Sequence, residues 1–119
     1  MAVTHLFAGI PTADLGQAVD WYERLLGAPP DRYPHEDEAV WQLVERGLIY
    51  VVRDPERAGT ALVTLIAEDL KGWISDVRSR GISVGKVETL ANGVRKVSLA
   101  DPDGNLISVG ELPAGAGPE

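Results

Sequence analysis

No cysteine occurs in the 119 residues, so disulfides, thiolate metal sites and thiol nucleophiles are all closed to this chain. Aromatic residues are scarce at 6%, with a single phenylalanine, so each bears on either the packing or a site. There is no basic-plus-apolar leader and no apolar run of bilayer-spanning length, so no membrane partner is expected and the chain is assigned by default to the cytoplasm. Cations are in the minority. Eleven Lys and Arg stand against 18 Asp and Glu, a net charge of −7, which argues against a nucleic-acid partner, whose phosphates require a basic face. The same balance suits a cationic ligand, which a negative cleft would concentrate. Also missing are a phosphate-cradling Gly-rich loop, a dinucleotide fingerprint, and any serine tied by spacing to a histidine base.

What is present is one domain's worth of patterned sequence. Thr4 to Ile10 is β-prone and stops at Pro11, which should end the strand. Asp14, with Gln17 three residues on, has the form of a capping box. Leu15, Ala18, Val19, Tyr22, Leu25 and Leu26 then recur at helical spacing, and Gly27 sits where a left-handed cap belongs. Ala28 to Glu38 holds Pro29, Pro30 and Pro34 among charges, so it reads as a loop with at most a short edge strand. Ala39 to Val44 and Leu48 to Arg53 read as strands around a Glu45-Arg46-Gly47 turn.

After a polar linker, Thr60 to Ala67 is again β-prone, Asp69 caps a helix carrying Leu70, Trp73, Ile74 and Val77, and Gly81 closes it. Val84 to Leu90 and Val94 to Ala100 flank Asn92-Gly93, the preferred pair for a two-residue type I′ hairpin. Asp101-Pro102-Asp103-Gly104-Asn105 is turn chemistry ahead of an apolar strand from Leu106. The order strand, capped helix, strands therefore occurs twice. Two βαβββ units follow, one over about residues 4–57 and the other over about 58–112, within a single domain 1–112 and ahead of a tail, 113–119, expected to be disordered. Neither unit is large enough to bury its own sheet, so the two should share one core or pair with another chain.

Two such units, the Asp14-Leu15 helix start with Trp21-Tyr22 and Leu26-Gly27 beyond it, and the Asp101 to Asn105 turn before the last strand together resemble the vicinal oxygen chelate superfamily. Its members include glyoxalases, extradiol dioxygenases and bleomycin-resistance proteins. The resemblance runs from about Thr4 to Leu112. It implies an α+β fold in which two βαβββ modules form a curled, half-open, barrel-like mixed sheet around a cleft, and it implies a homodimer.

The resemblance also implies a divalent metal on His, Gln or Glu side chains at four matching strand positions. Here those positions fall at Phe7, Leu62 and Ser108, with the fourth in the strand Leu48 to Arg53, which holds no His, Asp, Glu or Gln. Phenylalanine and leucine have no lone pair, and a lone serine hydroxyl holds a metal poorly. No metal and no cofactor are therefore expected. His5 reads as a strand-end or cleft-rim residue, His35 as a solvated one, and Glu111 as lying on the opposite face of its strand. A metal-free acid or base at Glu68, Glu88 or Glu111 leaves no sequence signature. Alternation then makes the cleft apolar with a few hydroxyls, and the expected ligand-binding set is Phe7, Trp41, Tyr50, Leu62, Thr64 and Ser108. The function this favours is a metal-independent small-molecule binder, sequestering a drug-like or metabolite ligand in a dimer cleft. The alternative is a metal-dependent lyase or dioxygenase of the glyoxalase or extradiol type with a non-standard ligand set.

Overall fold

The computed structural model describes residues 2–114. Ten elements run in the order β1 (Leu6–Thr12), α1 (Leu15–Leu26), β2 (Arg32–His35), β3 (Glu38–Val44), β4 (Gly47–Arg53), β5 (Leu62–Ile66), α2 (Leu70–Ser79), β6 (Glu88–Thr89), β7 (Arg95–Ala100) and β8 (Leu106–Glu111). The α+β class and the two βαβββ modules are both present. Each module builds its own open four-stranded sheet, ordered β1-β4-β3-β2 in the first and β5-β8-β7-β6 in the second. In each, the first strand lies parallel to the last and the others are antiparallel. The strands are thus divided between two sheets, and not joined in one curled sheet.

Both helices start where the caps place them. The Asp14 carboxylate accepts from the Gln17 amide at 3.2 Å and that of Asp69 from the Gly72 amide at 3.1 Å. Each helix lays its apolar stripe on its own sheet: Ala18, Tyr22 and Leu25 from α1, and Leu70, Ile74 and Val77 from α2, are buried. Ile10, Trp41, Ile49 and Val51 of the first sheet join Val97, Leu99, Ile107 and Val109 of the second in one cluster. The two modules therefore share a core, as their size requires.

Three local expectations change. β1 runs through Pro11 to Thr12. It is an edge strand bonded only to β4, and the Pro11 carbonyl points away from β4 to accept from Asn105 Nδ2 at 2.8 Å, so the missing N–H on that same side removes no ladder bond. The segment expected as a strand from Val84 is irregular until Glu88, and Arg78 Nη2 takes the Val84 carbonyl at 3.0 Å. The Asn92-Gly93 hairpin is not type I′, which needs positive φ at both central residues; only Gly93 has it, at 87°. Leu90 N donates to the Val94 carbonyl at 2.8 Å and Gly93 N to that of Leu90 at 2.9 Å, a three-residue loop with glycine at the left-handed position. Of the expected tail, residues 115–119 lie outside the described residues.

The Asp101 to Asn105 turn joins the modules. Asp101, only 5% exposed, accepts from the amides of Asp103 and Asn105 through Oδ1, each at 2.9 Å. Its Oδ2 accepts from Tyr22 Oη at 2.6 Å and Asn105 Nδ2 at 2.9 Å. Asn105 accepts from the Ala61 amide at 2.9 Å while its Nδ2 also reaches Pro11. Asp103 receives the Thr12 hydroxyl and the Ala13 amide. Burial, and next the bond to Asp101, push the Tyr22 hydroxyl far above the usual tyrosine range, so it remains a neutral donor.

Candidate functional site

Strand alternation divides each sheet into a helix-covered face and a helix-free one. In the first module the register pairs Phe7 with Leu48 and Gly9 with Tyr50 on the helix-free face, and Val40 lies beside Tyr50. Val40 and Leu48 are buried there without joining the core cluster, whereas Phe7 is 57% exposed. Gly9 makes room for an aromatic ring. A Cβ at that position would lie 2.6 Å from Cζ and Oη of Tyr50, so the phenol rests across β1 at Gly9.

In the second module Leu62 pairs with Leu106 and Thr64 with Ser108. The Ser108 hydroxyl lies 3.1 Å from that of Ser98 on β7. This face is therefore a hydroxyl stripe bordered by leucines, with Leu62 79% and Leu106 39% exposed. Apolar side chains are thus left uncovered on both helix-free faces.

Five of the six residues expected at a ligand site thus lie on helix-free faces: Phe7 and Tyr50 on one sheet, Leu62, Thr64 and Ser108 on the other. Trp41 does not. It pairs with Ile49 on the helix-covered face, is 2% exposed, packs on Tyr22 with centroids 6.0 Å apart, and donates from Nε1 to the Ala28 carbonyl at 2.9 Å. Its indole is a core piece with its one donor satisfied, because β3 meets β4 in the register that turns odd-numbered β3 residues inward. Thr64 also borders a recess between the modules, whereas Phe7, Tyr50, Leu62 and Ser108 border none of the four clefts described among these residues.

The register also supplies the fourth position that spacing alone left open. Phe7 lies opposite Leu48 and Leu62 opposite Leu106; two residues further along β4 and β8 stand Tyr50 and Ser108. The four matching positions are therefore Phe7, Tyr50, Leu62 and Ser108. Two hydrocarbons, a phenol and a serine hydroxyl engaged by Ser98 do not make a donor set for a divalent ion. Glu111 is turned to the other face, where it accepts from the Leu70 amide at 2.9 Å and meets Arg95 at 3.5 Å. His5 is exposed with Nδ1 2.8 Å from the Thr4 hydroxyl and its ring 6.3 Å from that of Phe7. His35 pairs with Glu38 at 3.2 Å. Among the described residues no three His, Asp or Glu side chains come together as a metal site, and no helix is long and apolar enough to cross a membrane.

The contact between modules is asymmetric. At one end of β1 the Asp101 network fills it. At the other, Leu6, Leu43, Ile66 and Trp73 border an apolar recess of about 450 Å³. Leu43 holds the place in the first module that Asp101 holds in the second, two residues beyond Trp41 as Asp101 is beyond Leu99. The first module's β3–β4 turn is tied to itself instead, by Gln42 Nε2 donating to the carbonyl of Val44 at 2.6 Å.

Residues 3–109 match the Glyoxalase/Bleomycin resistance protein/Dioxygenase superfamily. A solved glyoxalase/bleomycin resistance protein from Catenulispora acidiphila is 54% identical, with a TM-score of 0.87 over 93% of this chain and 100% of that one. Two more distant structures share the fold. A bleomycin-binding protein complexed with bleomycin is 20% identical (TM-score 0.73, 93% of this chain, 98% of that one). A lactoylglutathione lyase from Agrobacterium tumefaciens is 19% identical (TM-score 0.71, 89% and 91%). A search of curated proteins returned no match.

Proposed function

Since the chain belongs to the Glyoxalase/Bleomycin resistance protein/Dioxygenase superfamily, we propose that it is a metal-independent binder of a small drug-like or metabolite molecule, acting as a cytoplasmic homodimer. The observation that carries this reading is the identity of the four matching positions, Phe7, Tyr50, Leu62 and Ser108. Where a metal enzyme of this architecture needs imidazole or carboxylate, this chain offers a phenylalanine and a tyrosine on one sheet and a hydroxyl and a leucine on the other. Such a lining suits an apolar or aromatic ligand with a few polar groups. Tyr50 supplies a flat surface for an aromatic or cationic one, and the charge of −7 favours a cation.

The dimer belongs to the same reading. Phe7 and Leu62 are each more than half exposed on separate sheets, and a second chain laying its opposite module over each would turn two half-sites into a cleft. Phe7, Tyr50, Leu62, Thr64 and Ser108 would then line it. The bleomycin-binding neighbour has a bound antibiotic in a protein of this fold. Equilibrium dialysis of the purified protein against cationic, aromatic antibiotics, bleomycin among them, tests the proposal. Saturable binding at one site per module pair is expected; no binding across a broad panel counts against it.

A second reading rests on His5, whose ring lies beside Phe7 at the rim of the first half-site. Under it the chain is a metal-dependent lyase or dioxygenase with an unusual ligand set. Elemental analysis separates the two readings, since stoichiometric metal lost on His5→Ala favours the enzyme.

A further inference from the structure

On the helix-covered side of the second module, between α2 and β7, lies an open cleft of about 680 Å³. Lys71, Arg78, Lys86 and Arg95 line it over a floor that includes Ile74 and Val84. Four of the chain's 11 Lys and Arg therefore converge on one recess, and no Asp or Glu is among its lining residues. Two of the four are engaged: Arg78 holds the Val84 carbonyl, and Arg95 faces Glu111 at 3.5 Å. Lys71 and Lys86 have no ion-pair partner among the described residues.

The first module is an internal control for this surface. Aligning the two helices on their caps, Asp14 and Asp69, sets Arg78 against Glu23 and Ser75 against Asp20. Aligning the sheets sets Arg95, opposite Glu111, against Asp37, which precedes the Glu38–Val52 pair. At these three places the first repeat carries Glu23, Asp20 and Asp37, and the second carries two arginines and a serine; Lys71 itself stands against Gly16. Fold alone does not require positive charge at this place. In a chain of net charge −7 it makes a local field of opposite sign, which an anion would find.

We propose that this cleft binds a free small organic anion, a phosphate or carboxylate carried on an apolar group. Lys71 and Lys86 contact the charge, and Ile74, Val84 and Val87 receive the apolar part. The site is independent of the helix-free faces, so it stands or falls separately from the ligand cleft proposed above.

The test is a titration of the isotope-labelled full chain with phenyl phosphate at low salt, followed by amide chemical shifts. Shifts are expected at residues 71–87 and at Arg95, fading as salt screens the contact. The Lys71→Gln/Lys86→Gln variant should bind at least about tenfold more weakly, as the loss of two charge-assisted contacts implies, with an unchanged Tm. Lys71→Arg/Lys86→Arg should retain binding. Phenol should leave these amides unmoved, and inorganic phosphate should shift the same set with lower affinity. Shifts centred on Phe7, Leu62 and Ser108, equal binding by phenol, or full affinity in the glutamine variant would each overturn the proposal. So would sedimentation with phosphatidic acid vesicles at concentrations where phenyl phosphate does not bind, which would assign the cleft to a lipid headgroup.

Discussion

Tyr22, on the helix of the first module, donates its hydroxyl at 2.6 Å to Asp101, on the closing turn of the second. Both groups are buried, and Asp101 also accepts from Asn105 and Asp103. The bond spans 79 residues of sequence and ties α1 to the turn between β7 and β8. Tyr22→Phe keeps the ring in the core and removes only the donor. It should cost about 1–3 kcal/mol, the penalty for a buried acceptor losing a partner, read as a lower urea midpoint at unchanged m-value.

Two glycines should respond differently to the same added methyl. Gly59 has φ 88°, and a Cβ there would lie 2.6 Å from the Asp103 carbonyl oxygen, a backbone atom that cannot swing aside. Gly59→Ala should lower stability by about 2 kcal/mol or more, from left-handed strain and overpacking together.

At Gly9 the obstacle is the far end of the Tyr50 side chain, which can rotate away. Gly9→Ala should therefore change stability by less than about 1.5 kcal/mol while displacing the phenol. Ligand affinity, measured by dialysis beside the wild type, should fall, and an unchanged affinity would remove Tyr50 from the site.

Phe7 is exposed in the single chain, so charging it should not disturb the core. Phe7→Glu should shift the sedimentation coefficient from dimer to monomer, with the far-ultraviolet spectrum preserved. A variant that remains a dimer would place the interface elsewhere.

Chelation offers the simplest check on the absent donor set. A protein holding a native-state metal loses stability when the metal is stripped, because binding to the folded state alone stabilises it. Treatment with EDTA should leave both Tm and ligand affinity where they were. A drop in either would favour the enzyme reading.

The sequence by itself determined the repeat, both helices and the closing turn. Their signals are local: Asp14 and Asp69 cap helices through amides three residues away, and alternation along one strand sets which of its own residues share a face. That was enough to group Phe7 with Gly9, Leu62 with Thr64, and Ser108 with Leu106. The tertiary structure alone decided everything that depends on a partner strand. The faces of Trp41 and Tyr50 follow from how β3 and β4 register with each other and with β1, which no window of one strand contains. Pro11 is tolerated because β1 turns out to be an edge, and Asn105 joins the modules because Pro11 and Ala61 arrive on either side of it. The basic cleft was invisible for the same reason: Lys71, Arg78, Lys86 and Arg95 are spread over 25 positions of sequence and meet only when α2 is packed on the second sheet. Local chemistry chose the elements, and long-range pairing chose which side chains face each other.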